Sequence, residues 1–229
     1  MSVQVAKLAN GMRVVTDTMT SVETVSIGVW VDVGTRHEPA AVNGVAHMLE
    51  HMAFKGTERR SALDIASEIE AVGGHVNAYT SREHTAYYAK VLKADVGLAV
   101  DIIADILQHA AFDPAELERE RTVILQELGQ AQDTPDDIIY DLFQERAYPN
   151  QPMGQPVLGR ADIIKSLSRD AVSNYMKTTY AAPGMLLVAA GNITHEALVA
   201  MAERSFTALG AKSEARTEPG RYEGGEHRE

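Results

Sequence analysis

The chain has 229 residues, enough for one large domain or two small ones with a substantial core. Hydrophobic residues make up 45% and charged residues 23%, an ordinary globular composition, while a formal net charge of -11 argues against nonspecific nucleic-acid binding, which needs a basic face. Cysteine is absent, so disulfides and thiolate ligands are excluded and any metal must be held by His and carboxylate.

No run of about eighteen apolar residues is present, so no membrane span is expected. The N-terminal stretch lacks the basic-then-apolar layout of a signal peptide and leads directly into structured segments. A cytoplasmic, bacterial-type location is the expectation. Residues 3–8 and 13–18, on either side of Asn10-Gly11, are read as two strands joined by a tight turn. Residues 24–33 alternate, with Val25, Ile27, Val29, Val31 and Val33 on one side, which predicts a long strand with one buried face. A loop over 34–43 precedes a helix ending near Ala53. Ser61 caps a second helix, stopped by Gly73-Gly74. Strands are expected over 75–80 and 84–92, rich in Val, Tyr and Thr.

Residues 94–110 are helical and strongly apolar. Asp113-Pro114, with Glu116 following, opens a helix to about residue 132. Pro135 starts another, to about residue 148. Short helices over 161–167 and 169–177, a buried strand over 185–190 and a last helix over 195–209 complete the order. Hairpins mixed with helix pairs predict an α+β fold, a mainly antiparallel β-sheet covered by helices. Residues 1–210 are expected to form the domain. Residues 211–229, almost devoid of apolar side chains, are expected to be a linker towards a second domain.

The segment H-M-L-E-H, residues 47–51, carries the chemistry. On a helix, positions i, i+3 and i+4 are neighbours, so His47, Glu50 and His51 address one space. Two imidazoles suit zinc, and a carboxylate beside them suits a general base. The order His-x-x-Glu-His is that of the inverted zinc peptidases. Val42, Val45, Ala46, Leu49 and Ala53 fall on a separate apolar stripe, leaving His47, Glu50, His51 and Phe54 on the adjoining face.

A catalytic zinc requires a third protein ligand. The helix from Asp113 offers Glu116, Glu120 and Glu127 on one stripe with Val123, Ile124 and Ala131. Carboxylates that share a face with apolar residues point inward and need a partner, and spacing does not choose between Glu120 and Glu127.

H-M-L-E-H, followed by A-F-K-G-T, N-A-Y-T-S-R-E-H-T-A-Y-Y and E-R-E-R-T-V-I-L-Q-E-L, resembles the N-terminal, catalytic domain of the pitrilysin/insulinase family of inverted zinc peptidases. The likeness is to its processing-peptidase branch and spans nearly the whole chain. The resemblance implies one Zn2+ per chain, with Glu127 as third ligand and Glu120 supporting a ligand from behind. It places Phe54 in a pocket on the leaving-group side of the cut. Asn77, Ala78 and Tyr79 match the edge strand on which relatives add substrate as a further strand. Asp137 and Asp141 match two acidic positions that receive an arginine just before the cleavage site.

The implied activity is metalloendopeptidase cleavage of extended peptides, with Glu50 as base. The resemblance also implies that a second homologous domain or subunit closes on the first, and this chain covers only that first half. The isolated chain is therefore expected to bind zinc and to turn over weakly. The alternative is a noncatalytic assembly subunit, or the peptide-binding half of a split peptidase. No nucleic acid or membrane partner is expected.

Overall fold

The computed structural model describes residues 3–224. Six strands build one sheet: β1 (Val3–Lys7), β2 (Arg13–Thr18), β3 (Thr24–Val31), β4 (His75–Thr80), β5 (Thr85–Leu92) and β6 (Met185–Gly191). Their spatial order is β1-β2-β6-β3-β5-β4. Four neighbouring pairs are antiparallel, and β2 with β6 is parallel. The expected α+β class is therefore the observed one.

Eight α-helices accompany the sheet among the described residues. They are α1 (Val45–Ala53), α2 (Ala62–Ala71), α3 (Val96–His109), α4 (Pro114–Asp133), α5 (Pro135–Ala147), α6 (Ala161–Ser166), α7 (Arg169–Thr179) and α8 (His195–Ser205).

The alternation in β3 does what its period dictates. Val25, Ile27, Val29 and Val31 are buried on one face, continued by Tyr87, Ala89 and Val91 of β5 and by Met185, Leu187 and Ala189 of β6. Against that face lie α3 and α8, whose Ile102, Ile103, Ile106, Leu198 and Ala202 are fully buried. Each such aliphatic side chain withdrawn from water stabilises the fold by about 1.5–3 kcal/mol before entropy is counted. The central strands have a neighbouring strand along each edge, and β4 is left at one end of the sheet.

Some boundaries differ from the sequence expectation. The strand expected to reach residue 33 ends at Val31, although Val33 remains buried. The loop over 34–43 contains two 3-10 turns, Thr35–His37 and Ala40–Val42. The last helix stops at Ser205 because Phe206 turns into the core. Residues 211–224 carry no helix or strand, yet they lie along the domain. Glu214 N donates to Thr178 O at 2.8 Å, His37 Nε2 and Thr217 Oγ1 are 3.0 Å apart, and Glu223 N donates to Ala147 O at 3.1 Å.

Candidate metal centre

Helix α1 begins on Gly44, whose φ of +95° is left-handed and open chiefly to glycine. A Cβ there would meet Ile164 Cδ1 at 2.6 Å and the Gly159 backbone at 2.8 Å. No side chain of its own caps this start. A buried carboxylate from the preceding loop does so instead. Glu38 Oε2 accepts from Gly44 N at 2.8 Å and from Asn43 Nδ2 at 2.9 Å, while Oε1 accepts from Ala46 N at 2.7 Å. Two of the backbone donors at the start of the helix, Gly44 N and Ala46 N, are thereby satisfied. Burial pushes the Glu38 carboxyl up to about 7, against the opposing pull of its three donors.

Val45, Ala46, Met48, Leu49, Met52 and Ala53 are buried, so α1 is sunk in the core along more of its circumference than a simple amphipathic stripe predicts. The polar face is therefore enclosed rather than solvated. His47 and His51 meet edge to face, with ring centroids 4.6 Å apart. Helix α4 crosses beside them, anchored by Leu117, Ile124 and Leu128. It brings Glu127 Oε2 to 3.8 Å from His47 Nε2 and 3.6 Å from His51 Nε2. The three residues each offer one ligand atom, all within 4.8 Å of one another.

Two observations bear on whether these groups suit a cation. Glu127 Oε2 is buried with no hydrogen-bond donor among the described residues, although the side chain as a whole is 39% exposed. An inward-facing carboxylate oxygen without a hydrogen-bond partner favours a positive charge beside it. Burial, with the charge of His51 adding to it, lowers His47 to about 3, so its imidazole is neutral and has a lone pair to donate at neutral pH. Two imidazoles and one carboxylate form a donor set that can hold a divalent metal.

The remaining residues divide into those brought to this place and those that are not. Glu50 lies beside the cluster, and its Oε2 accepts a 2.6 Å hydrogen bond from Thr80 Oγ1 at the end of β4. Burial raises the Glu50 carboxyl above its usual range, opposed by that bond. Glu120 is 5% exposed and stands behind His51, its Oε2 at 2.8 Å from His51 Nδ1. Its other oxygen is 2.7 Å from Lys55 Nζ. Burial alone would raise Glu120, but hydrogen bonds from Lys55 and His51 outweigh it and hold the carboxyl below its usual range. Glu116 shares the stripe in sequence but pairs locally with Arg119, away from the cluster.

Phe54 is half-buried, its ring 6.3 Å from that of the fully buried Tyr87. Asn77, Ala78 and Tyr79 lie on β4, which pairs only with β5 and leaves its other edge open among the described strands. Tyr79 is exposed, with its hydroxyl 3.0 Å from His84 Nε2. Asp137 sits exposed in the first turn of α5, and Asp141 is engaged by Arg82. Thr80, Lys55 and Glu38 were not singled out by sequence patterns. Thr80 and Lys55 lie inside the quoted motif strings, and only that could have signalled them.

The family profile described as "Insulinase (Peptidase family M16)" matches residues 13–161. The chain belongs to this family. A second profile, "Peptidase M16 inactive domain", matches residues 166–228. A probable mitochondrial-processing peptidase subunit beta from Arabidopsis thaliana is 45% identical over 206 residues, covering 90% of this chain and 39% of that protein. An uncharacterized zinc protease from Rickettsia bellii is 43% identical over 221 residues, covering 96% of this chain and 54% of that protein. The chain thus spans roughly half the length of these M16 relatives, or less. Among solved structures, pitrilysin superposes with a TM-score of 0.84 at 26% identity, over 96% of this chain and 24% of that one. A protease from Helicobacter pylori gives a TM-score of 0.88 at 23% identity, over 96% and 54%, a likeness of fold. No helix among the described residues is long and apolar enough to cross a membrane.

Proposed function

We propose that this chain is the catalytic half of a zinc metalloendopeptidase that cleaves extended peptides. The observation that carries this reading is the convergence of His47, His51 and Glu127 with Glu50 alongside. His47, His51 and Glu127 would hold one zinc ion. Zinc in such a site supplies Lewis acidity and lowers the pKa of water towards neutrality. Glu50 is the general base, taking a proton from the water that attacks the scissile carbonyl and passing it to the leaving amine. Its burial suits that task, because a raised carboxyl pKa makes it a better proton acceptor.

The substrate backbone pairs with the open edge of β4 at Asn77, Ala78 and Tyr79, which needs little sequence specificity. Thr80 ties the end of that strand to Glu50, so a peptide laid on the edge runs past the base. Phe54 lines the leaving-group side, and Asp137 with Asp141 receives a basic side chain of the substrate. A second homologous domain or subunit supplies the facing wall. Its support is the share of the relatives' length that this chain leaves uncovered. Half a cleft positions substrate poorly, so turnover by this chain alone is weak.

The experiment is metal analysis combined with cleavage of an arginine-containing peptide, with and without an added second half. One zinc per chain is expected, with chelator-sensitive cleavage that the second half increases. Glu50→Gln keeps the zinc and loses about 10²–10⁴-fold in rate; His47→Ala loses both. A chain that takes up no zinc ends the metal assignment. Undiminished, chelator-sensitive cleavage by Glu50→Gln would falsify the role given to the base.

A further inference from the structure

The two histidines of α1 are supported unequally. His47 Nδ1 is buried and has no hydrogen-bond partner among the described residues, whereas His51 Nδ1 has Glu120 Oε2 at 2.8 Å. Glu120 does not stand alone. Its second oxygen is 2.7 Å from the ammonium of Lys55, which leaves the turn that closes α1, where Lys55 N donates to Met52 O at 3.1 Å. A chain of three side chains therefore runs from the protein surface to one histidine, through a carboxylate that is almost wholly enclosed. We propose that Lys55 is a positioning residue: acting through Glu120, it fixes His51 in the tautomer that carries its proton on Nδ1 and leaves Nε2 free.

A neutral imidazole carries one proton and can hold it on either nitrogen. What the second nitrogen bonds to decides which. A carboxylate at His51 Nδ1 makes that nitrogen the donor, and the lone pair then sits on Nε2, which faces Glu127 Oε2 at 3.6 Å. The other tautomer would aim an N–H into the same space and could not act as a ligand. Glu120 enforces the first tautomer only while its own oxygens are held. The terminal torsion of a Glu side chain is broad, and an enclosed carboxylate with one unpartnered oxygen turns to find another donor. Lys55 removes that freedom, because its ammonium pins Oε1 and leaves Oε2 for His51.

A purely structural role is the competing account. Lys55 and Glu120 join α1 to α4, and such an ion pair could simply hold two helices together. That role would change stability and leave the tautomer alone. The Lys55 side chain is 31% exposed, so shortening or neutralising it opens no large cavity. The two accounts therefore separate experimentally.

The test uses the full chain at one fixed pH, with Lys55→Met and Lys55→Arg. The first readout is the 15N signature of the His51 imidazole in metal-free protein. The second is zinc affinity by competition with a chelator, and this arm alone rests on the metal reading above. Lys55→Met should replace a single Nδ1–H signature by a mixture of tautomers and weaken zinc about tenfold, the lower end of what loss of a supporting group costs. Lys55→Arg, which keeps the charge and the donors, should preserve both. In a Glu120→Gln background, Lys55→Met should weaken zinc no further, because the route through Glu120 is already broken. An unchanged tautomer in Lys55→Met overturns the proposal. So does equal loss in Lys55→Met and Lys55→Arg, which would trace the effect to side-chain shape. If the parent chain binds no zinc, the metal reading falls, and the imidazole spectrum still decides the role of Lys55.

Discussion

Arg82 Nη2 lies 2.6 Å from Asp141 Oδ1, joining the turn between β4 and β5 to the second turn of α5. One of the two carboxylates assigned to a basic substrate side chain thus already faces a guanidinium, while Asp137 stays exposed. Arg82 Nε is buried with no acceptor among the described residues, so the guanidinium is incompletely satisfied. Arg82→Met should tighten binding of an arginine peptide several-fold relative to its citrulline analogue. Asp141→Asn should instead lower that ratio, because it removes one of the two carboxylates proposed to receive the basic side chain. Titration of both peptides against zinc-loaded Glu50→Gln protein measures this, and a ratio unaffected by Arg82→Met counts against the competition.

The Glu38 cap predicts both a stability loss and its pH dependence. Glu38→Ala strips the acceptor from Gly44 N and Ala46 N, at a cost of about 2–4 kcal/mol for two buried donors. The folded-state pKa of about 7 lies above the ordinary 4.5, so between these values the folded protein binds more protons than the unfolded one. The contribution of Glu38 is fully present below about 4.5 and is lost as pH rises through about 7, by up to about 3 kcal/mol. Urea denaturation of parent and Glu38→Gln from pH 5 to 8 should show the parent losing its relative advantage as pH rises. A difference that stays flat or grows with pH contradicts this.

Gly44→Ala should destabilise the domain by about 2–4 kcal/mol, from a left-handed alanine and displacement of Ile164. Trimming Ile164 to Ala should not rescue it, because the Gly159 backbone remains at 2.8 Å. Thermal or urea midpoints of the single and double variants test this. A stable Gly44→Ala protein would mean that the start of α1 is less constrained than its geometry implies.

Thr80→Val removes the hydroxyl donor from Glu50 Oε2. With a second half present, kcat should fall about tenfold, the scale of one hydrogen bond to a charged group, while zinc content and KM stay near the parent values. Thr80→Ser, which keeps the hydroxyl, should retain most of the rate. A KM effect without a kcat effect would move Thr80 from orienting the base to binding the substrate.

Local features of the site were legible, because helix periodicity alone put His47, Glu50 and His51 on one face. Crossing features were not. Spacing left Glu120 and Glu127 undecided, since their division depends on the angle at which α4 passes α1, which no repeat within α4 encodes. The family resemblance separated them; in the structure Glu127 Oε2 lies 3.6 Å from His51 Nε2, while Glu120 Oε2 faces His51 Nδ1 at 2.8 Å. Glu38 was invisible because its donors belong to the next element, and a loop carboxylate before a helix resembles any other. The hairpins could be read from alternation and turns. The parallel alignment of β2 with β6 could not, because strands so distant in sequence carry no local signal of adjacency.

That alignment also governs how the molecule can be made. β6 inserts between β2 and β3, in the middle of the sheet, yet it begins only at Met185. During synthesis at about 5–20 residues per second, both histidines and Glu127 emerge well before the strand that completes the layer beneath them. Until β6 arrives, β2 and β3 present unpaired inner edges to other nascent chains. A ribosome stalled short of Met185 would therefore release a sticky, open sheet that already carries every proposed metal ligand. Expression yield should fall sharply for truncations that remove β6.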